Sequence, residues 1–166
     1  ALHKCSAFIE QFGGHKYAAG LTLKPEKLED FKIAFEKEVA QTITEEMLTP
    51  KIDIDGELEL SKINWSFFKI VEQMAPFGPQ NMQPVFVSKN VVDSGKSRIV
   101  GETHLKISIK QNNSEIIDGI AFGMANYYDL IKTGKPFDVC YTLDKNEFRG
   151  NTTLQLQVKD IVINES

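Results

Sequence analysis

Two stretches of this sequence carry side chains suited to holding an anion. The first is Gly13-Gly14-His15-Lys16-Tyr17-Ala18-Ala19-Gly20. Paired glycines allow a sharp backbone turn that brings N–H groups close to a negative charge. His15 and Lys16 add a titratable donor and a fixed charge, while Ala18, Ala19 and Gly20 are too small to obstruct an approaching chain. The second is the run from 86 to 114, where Lys89, Lys96, Arg98, Lys106 and Lys110 outnumber Asp93 and Glu102 for a local charge of +3, with His104 among them. Residues 52–60, in contrast, hold Asp53, Asp55, Glu57 and Glu59 and no base. One surface is expected to attract phosphate and the other to repel it.

Nucleophilic and metal chemistry has no comparable support. Neither Gly-x-Ser-x-Gly nor His-Glu-x-x-His occurs, so the common nucleophile and zinc patterns are absent. His3, His15 and His104 are scattered and lack carboxylates nearby in sequence. No catalytic residue and no metal ligand is assigned. Gly95-Lys96-Ser97 looks like the end of a phosphate-binding loop, but Asn90 stands where the first Gly belongs and strand patterns follow instead of a helix. Asp53-Ile54-Asp55-Gly56 looks like a calcium loop, but Lys51 and Lys62 occupy the first and last ligand positions.

The elements that must carry these groups follow from period and punctuation. Residues 4–12 read as the end of a helix broken by Gly13-Gly14, and Tyr17 to Leu23 as a short strand. Pro25 suits a helix start, and Leu28, Phe31, Phe35 and Val39 recur at helical spacing, so 26–47 is expected as one amphipathic helix. Beyond Pro50 the period becomes 2. Ile52, Ile54, Leu58 and Leu60 alternate with the acids, which predicts a strand over 52–60 with one buried face. A short helix around Ser66–Met74 then precedes strand-like runs at 85–93, 97–100, 104–110, 115–122, 137–145 and 152–163, with a helix or turn at 125–132. Trp65, Phe67 and Phe68 are assigned to the core or to a seam between domains. The predicted fold class is α+β, mostly β, with a small barrel over 51–166. Residues 1–50, with a single good helix, are too few to bury a core alone.

Composition narrows the classes further. The chain of 166 residues is 42% hydrophobic and 25% charged, the balance of a soluble globular protein. Its net charge of −4 gives no bulk attraction to nucleic acid, so such binding would have to be local. No apolar run approaches the roughly 18 residues that cross a bilayer, and no membrane role is expected. Cys5 and Cys140 lie far apart without metal-type spacing, which fits free buried thiols and a cytoplasmic location. The start Ala1-Leu2-His3-Lys4 has neither an initiator Met nor a signal pattern, as expected of a chain cut from something longer.

Cys5-Ser6 … Phe12-Gly13-Gly14-His15-Lys16-Tyr17-Ala18-Ala19-Gly20-Leu21 resembles the closing motif of the DHH-associated domain of DHH-family phosphoesterases. Met74-Ala75-Pro76-Phe77-Gly78-Pro79-Gln80-Asn81 … Pro84-Val85-Phe86 is similar to the RecJ family of single-strand-specific 5′-to-3′ exonucleases. So are Gly101-Glu102-Thr103-His104-Leu105-Lys106 and Asn146-Glu147-Phe148-Arg149-Gly150 … Leu154-Gln155-Leu156-Gln157-Val158-Lys159-Asp160-Ile161. One departure is Gln80, where the pattern has Gly.

The resemblance implies that residues 1–50 are the C-terminal part of a DHH-associated domain and 51–166 an OB-fold domain contacting single-stranded DNA. It also implies that Mn²⁺ or Mg²⁺ is bound by a DHH domain outside this chain, in an enzyme of DNA repair and recombination. Carried over, Gly13, Gly14 and His15 would face substrate phosphate. Lys96, Arg98, His104 and Lys106 would line the groove, with Phe148 and Arg149 adding a stacking ring and a phosphate contact. Two rival expectations remain. One is a barrel that docks single-strand-binding protein. The other is a DHH-family enzyme for oligonucleotides or cyclic dinucleotides, which the barrel counts against.

Overall fold

The computed structural model describes residues 1–15 and 18–164, and the chain divides into two compact units, Ala1–Lys51 and Ile52–Ser166. In the first, a seven-residue 3₁₀-helix, Leu2–Phe8, leads into strands β1 (Gln11–His15) and β2 (Ala18–Thr22), which pair antiparallel with Gly13 opposite Gly20 and Gly14 opposite Ala19. The helix end expected over 4–12 is a 3₁₀-helix that stops at Phe8, and Gly13-Gly14 lies within a strand instead of forming a sharp turn. The close approach explains the glycine: a Cβ on Gly14 would lie 2.5 Å from Ala19 Cα.

Helix α1 (Leu28–Ala40) follows, then α2 (Glu45–Leu48). The single helix expected over 26–47 breaks at 41–44. There the Thr42 hydroxyl donates back to the carbonyls of Glu38 and Val39 at 3.2 Å, and Thr44 Oγ1 accepts the Met47 N–H at 3.3 Å as the cap of α2. Threonine hydroxyls competing for backbone in this way commonly end a helix. Cys5 is the one fully buried side chain among the described residues of this unit.

The second unit is a closed β-structure. Its strands are β3 (Gly56–Glu57), β4 (Phe86–Asp93), β5 (Arg98–Val100), β6 (His104–Lys110) and β7 (Ile117–Ala121). Helix α3 (Trp65–Glu72) precedes β4, and α4 (Tyr128–Ile131) separates β7 from the long pair β8 (Phe137–Phe148) and β9 (Asn151–Ile163). The pairings β4–β6, β6–β7, β7–β9, β9–β8 and β8–β4 close a five-membered ring, antiparallel except for β7 with β9. A five-stranded ring with one parallel contact and a helix between its third and fourth strands is the OB-fold arrangement.

Alternation decides which face is inside. Leu105, Ile107 and Ile109 of β6 point inward with Ala121, Leu143, Leu156 and Val139, and Phe68 and Val71 of α3 pack against them. Gly119 faces the same interior, where a Cβ would meet Ile107 Cγ1 at 2.9 Å and the Leu156 carbonyl at 3.0 Å. Tyr141 is fully buried, and its hydroxyl is satisfied by Ser88 Oγ at 2.7 Å. Burial pushes this phenol up to about 12.

One expectation needs correction here. Only Gly56–Glu57 of the expected strand 52–60 pairs, beside Phe86 and Val87. Ile52 and Ile54 are exposed, while Leu60 turns into the core. The acids instead serve the edge of β4: Asp55 Oδ2 accepts the Val85 N–H at 2.8 Å, and Glu57 pairs with Lys89 at 2.7 Å. Of the three aromatics assigned to the core or to a seam between domains, Phe68 is buried, Phe67 half-buried and Trp65 43% exposed. At 74–84, Asn81 Nδ2 donates to the Met74 and Pro76 carbonyls at 2.9 Å each. Gln80 sits there at φ 71°, the left-handed region that favours the glycine of the family pattern.

Candidate nucleic-acid interface

Strand pairing fixes where the basic residues stand. In the β5–β6 ladder Arg98 lies opposite Lys106 and Val100 opposite His104, and across β6–β7 Lys106 lies opposite Ile120. Cross-strand partners share a face, so Arg98, Lys106 and Ile120 form one row outside the barrel. Arg98 is exposed and makes no ion pair among the described residues, whereas Lys106 Nζ lies 3.5 Å from Asp118 Oδ2. Lys96 is exposed on the turn between β4 and β5. Lys89, counted in the same basic run, is held by Glu57, which keeps its ammonium above the usual lysine range.

His104 is half-buried. Its Nδ1 accepts the Gly123 N–H at 3.0 Å, which in the neutral ring leaves Nε2 as the N–H donor. The imidazole stands edge-on to Phe122, with centroids 5.2 Å apart at 81°. Phe122 is 57% exposed and was missed by the sequence reading. The signal was present: inward Gly119 and Ala121 put Phe122 on the outer face by parity.

Phe148 and Arg149 lie elsewhere. They occupy the tip of the β8–β9 hairpin, whose Asp144 to Thr153 are all exposed. Arg149 and Gly150 take φ of 51° and 81°, which suits a two-residue hairpin turn. The Arg149 guanidinium sits 5.1 Å from the centroid of Phe148, 63% exposed. No hydrogen bond, ion pair or ring contact among the described residues links this tip to the Arg98 row. Ile120 pairs with Gln157, so the tip is seven residues along β9 from that row, roughly 23 Å at strand rise. Between the two groups opens a groove of 480 Å³ lined by Trp65, Glu115, Ile116, Asp118, Thr153 and Leu154 among others. The structure thus gathers Arg98, Lys106 and His104 with Phe122, and separates them from the hairpin tip by carboxylates.

In the first unit Gly13, Gly14 and His15 line a pocket of 530 Å³ with His3, Phe12 and Phe35. His3 meets the Phe12 ring edge-on at 4.9 Å. Lys16 and Tyr17, also in the motif, lie outside the described residues. Among the described residues no three His, Cys, Asp or Glu side chains gather to hold a metal. Cys5 and Cys140 are both free and buried. Among the described residues no helix is long and apolar enough to cross a membrane.

Comparison with known proteins agrees with this architecture. The family described as the RecJ OB domain matches residues 54–160. The single-stranded-DNA-specific exonuclease RecJ of Salmonella typhimurium is 31% identical over 152 residues, covering 91% of this chain and 26% of that protein. The RecJ of Haemophilus influenzae is 33% identical over 154 residues, with 90% and 26% covered. The crystal structure of RecJ from Thermus thermophilus in complex with Mg²⁺ matches with a TM-score of 0.69 at 20% identity, covering 99% of this chain and 25% of that one. This chain therefore spans about a quarter of the length of these relatives.

Proposed function

Since the chain belongs to the RecJ OB domain family, we propose that it binds single-stranded DNA and positions it for a RecJ-like 5′-to-3′ exonuclease of DNA repair and recombination. The supporting observation is the row of Arg98, on the short β5 between the first and second ring strands, and Lys106, on the second, beside His104 and Phe122, which follows the third. OB folds bind oligonucleotides on that face and with the adjoining loops. Cations there offset phosphates, and Phe122 offers a ring on which a base stacks whatever its identity. Lys96 extends the row from the β4–β5 turn. Phe148 and Arg149 form a second contact for a longer strand.

Residues 1–50 are read as part of a DHH-associated domain, with Gly13, Gly14 and His15 directed at substrate phosphate. The Mn²⁺ or Mg²⁺ of such an enzyme would be held by a DHH domain and not by these residues. Docking of single-strand-binding protein is the competing use of the barrel.

The test is a salt-titrated binding assay with labelled single-stranded DNA, RNA and duplex. Single strands are expected to bind best, with a log–log salt slope near about −2 if three cations are engaged. Equal affinity for duplex would overturn the proposal.

A further inference from the structure

The turn that carries Lys96 is held by a continuous hydrogen-bonded chain that no backbone pairing requires. Strand β6 pairs along one edge with β5 at Lys106 and with β4 at Ile109 and Lys110. Ser108 falls in the gap between those pairings. Its carbonyl accepts the Ser94 N–H at 2.8 Å, and its N–H donates to Ser97 Oγ at 2.9 Å. A side-chain hydroxyl thus takes the place of a missing ladder carbonyl. The Ser97 hydroxyl in turn donates to Asp93 Oδ1, and Asp93 Oδ2 accepts the Gly95 N–H at 2.9 Å. On the other side the Ser108 hydroxyl donates to Asp118 Oδ1 at 2.8 Å, and Asp118 Oδ2 faces Lys106. Ser97 and Ser108 are 7% and 4% exposed, so water competes poorly for these bonds.

Resting on the DNA-binding reading above, we infer that Asp93 and Ser97 are positioning residues that hold Lys96 and Arg98 toward the strand. An acid beside a phosphate-binding face should weaken binding by simple repulsion. Asp93 does the opposite here, because both of its oxygens are committed to shaping the turn. Charge and geometry therefore make opposite forecasts for one substitution. Asp93→Asn raises the local charge by one, but its amide offers a single acceptor oxygen where two donors need one each.

The experiment is oligo(dT) binding by the full chain across a salt series, comparing wild type, Asp93→Asn, Ser97→Ala and Glu102→Gln. Glu102 is exposed and makes no hydrogen bond or ion pair among the described residues, so its variant reports charge alone. Positioning requires Asp93→Asn to bind about five-fold more weakly, roughly one hydrogen bond's net worth, with a flatter salt slope, while Glu102→Gln binds slightly more tightly. Binding by Asp93→Asn as tight as wild type, or tighter, overturns the inference. Ser97→Ala changes no charge and serves if Asp93→Asn fails to fold. It should weaken binding and speed hydrogen exchange at the Ser108 amide while Ile107 stays protected. Unchanged exchange at Ser108 overturns the inference without reference to DNA. If wild type ignores oligo(dT), the proposed function falls as well. If wild type binds and the variants match it, only the positioning role falls.

Discussion

Lys106 stands between two opposite influences, with Arg98 directly across one ladder and the Asp118 carboxylate 3.5 Å away beside the other. Like charges opposite each other destabilise a sheet, and Asp118 relieves that repulsion while nothing is bound. Arg98→Ala and Lys106→Ala should each weaken single-strand binding and flatten the log–log salt slope by about 0.7. Asp118→Asn keeps an acceptor for Ser108 yet releases Lys106, so it should bind more tightly. Fluorescence anisotropy at several salt concentrations decides. No change in either cation variant would favour protein docking over DNA.

The distance from the Arg98 row to the hairpin tip makes the effect of Phe148→Ala depend on ligand length. A long oligonucleotide should lose about 1–3 kcal/mol, the worth of one base stacked on an aromatic ring. A trinucleotide should lose nothing. Equal losses for both would mean that the tip folds over the cationic row.

Gly119→Ala should destabilise the barrel by about 1–3 kcal/mol, the usual range for overpacking. Its new methyl would be driven against Ile107 and Leu156. Denaturant midpoints measure this. A wild-type midpoint would show that β7 and β9 have room to part.

Tyr141 sets an alkaline limit. An unfolded tyrosine ionises near about 10, whereas burial raises the folded group to about 12. The folded phenol is thus disfavoured as an anion. Its contribution is intact below pH about 10 and is lost as pH rises toward 12, roughly 2–3 kcal/mol in all. Tyr141→Phe should remove that part of the decline in stability between pH 10 and 12, seen in urea midpoints taken across the range.

The strands from 86 to 163 were legible because inward apolar residues alternate with polar ones and Gly95, Asn112-Asn113 and Gly134 punctuate them. The same rule failed at 52–60. An edge segment can alternate without burying its apolar side, and there Asp55 and Glu57 are used as side-chain partners for β4. Helix period could not foresee the break at Thr42–Thr44, which comes from hydroxyls bonding to backbone. At the candidate site, composition points to Arg98, His104 and Lys106. Their separation from Phe148 depends on the parallel contact of β7 with β9, a long-range pairing that no local pattern encodes. Phe122 was readable from parity and was passed over.

Only two residue pairs, Val92 with Lys110 and Asp93 with Ile109, join β4 to β6 and shut the ring. With the β7–β9 contact, which also has two pairs, that seam is the narrowest in the barrel, and the Ser94–Ser97 turn sits at its end. A polyanion gripping Lys96 and Arg98 would therefore also fasten the seam. Strand capture and barrel closure would then be a single linked equilibrium, in which a bound strand would slow the opening of β4 from β6.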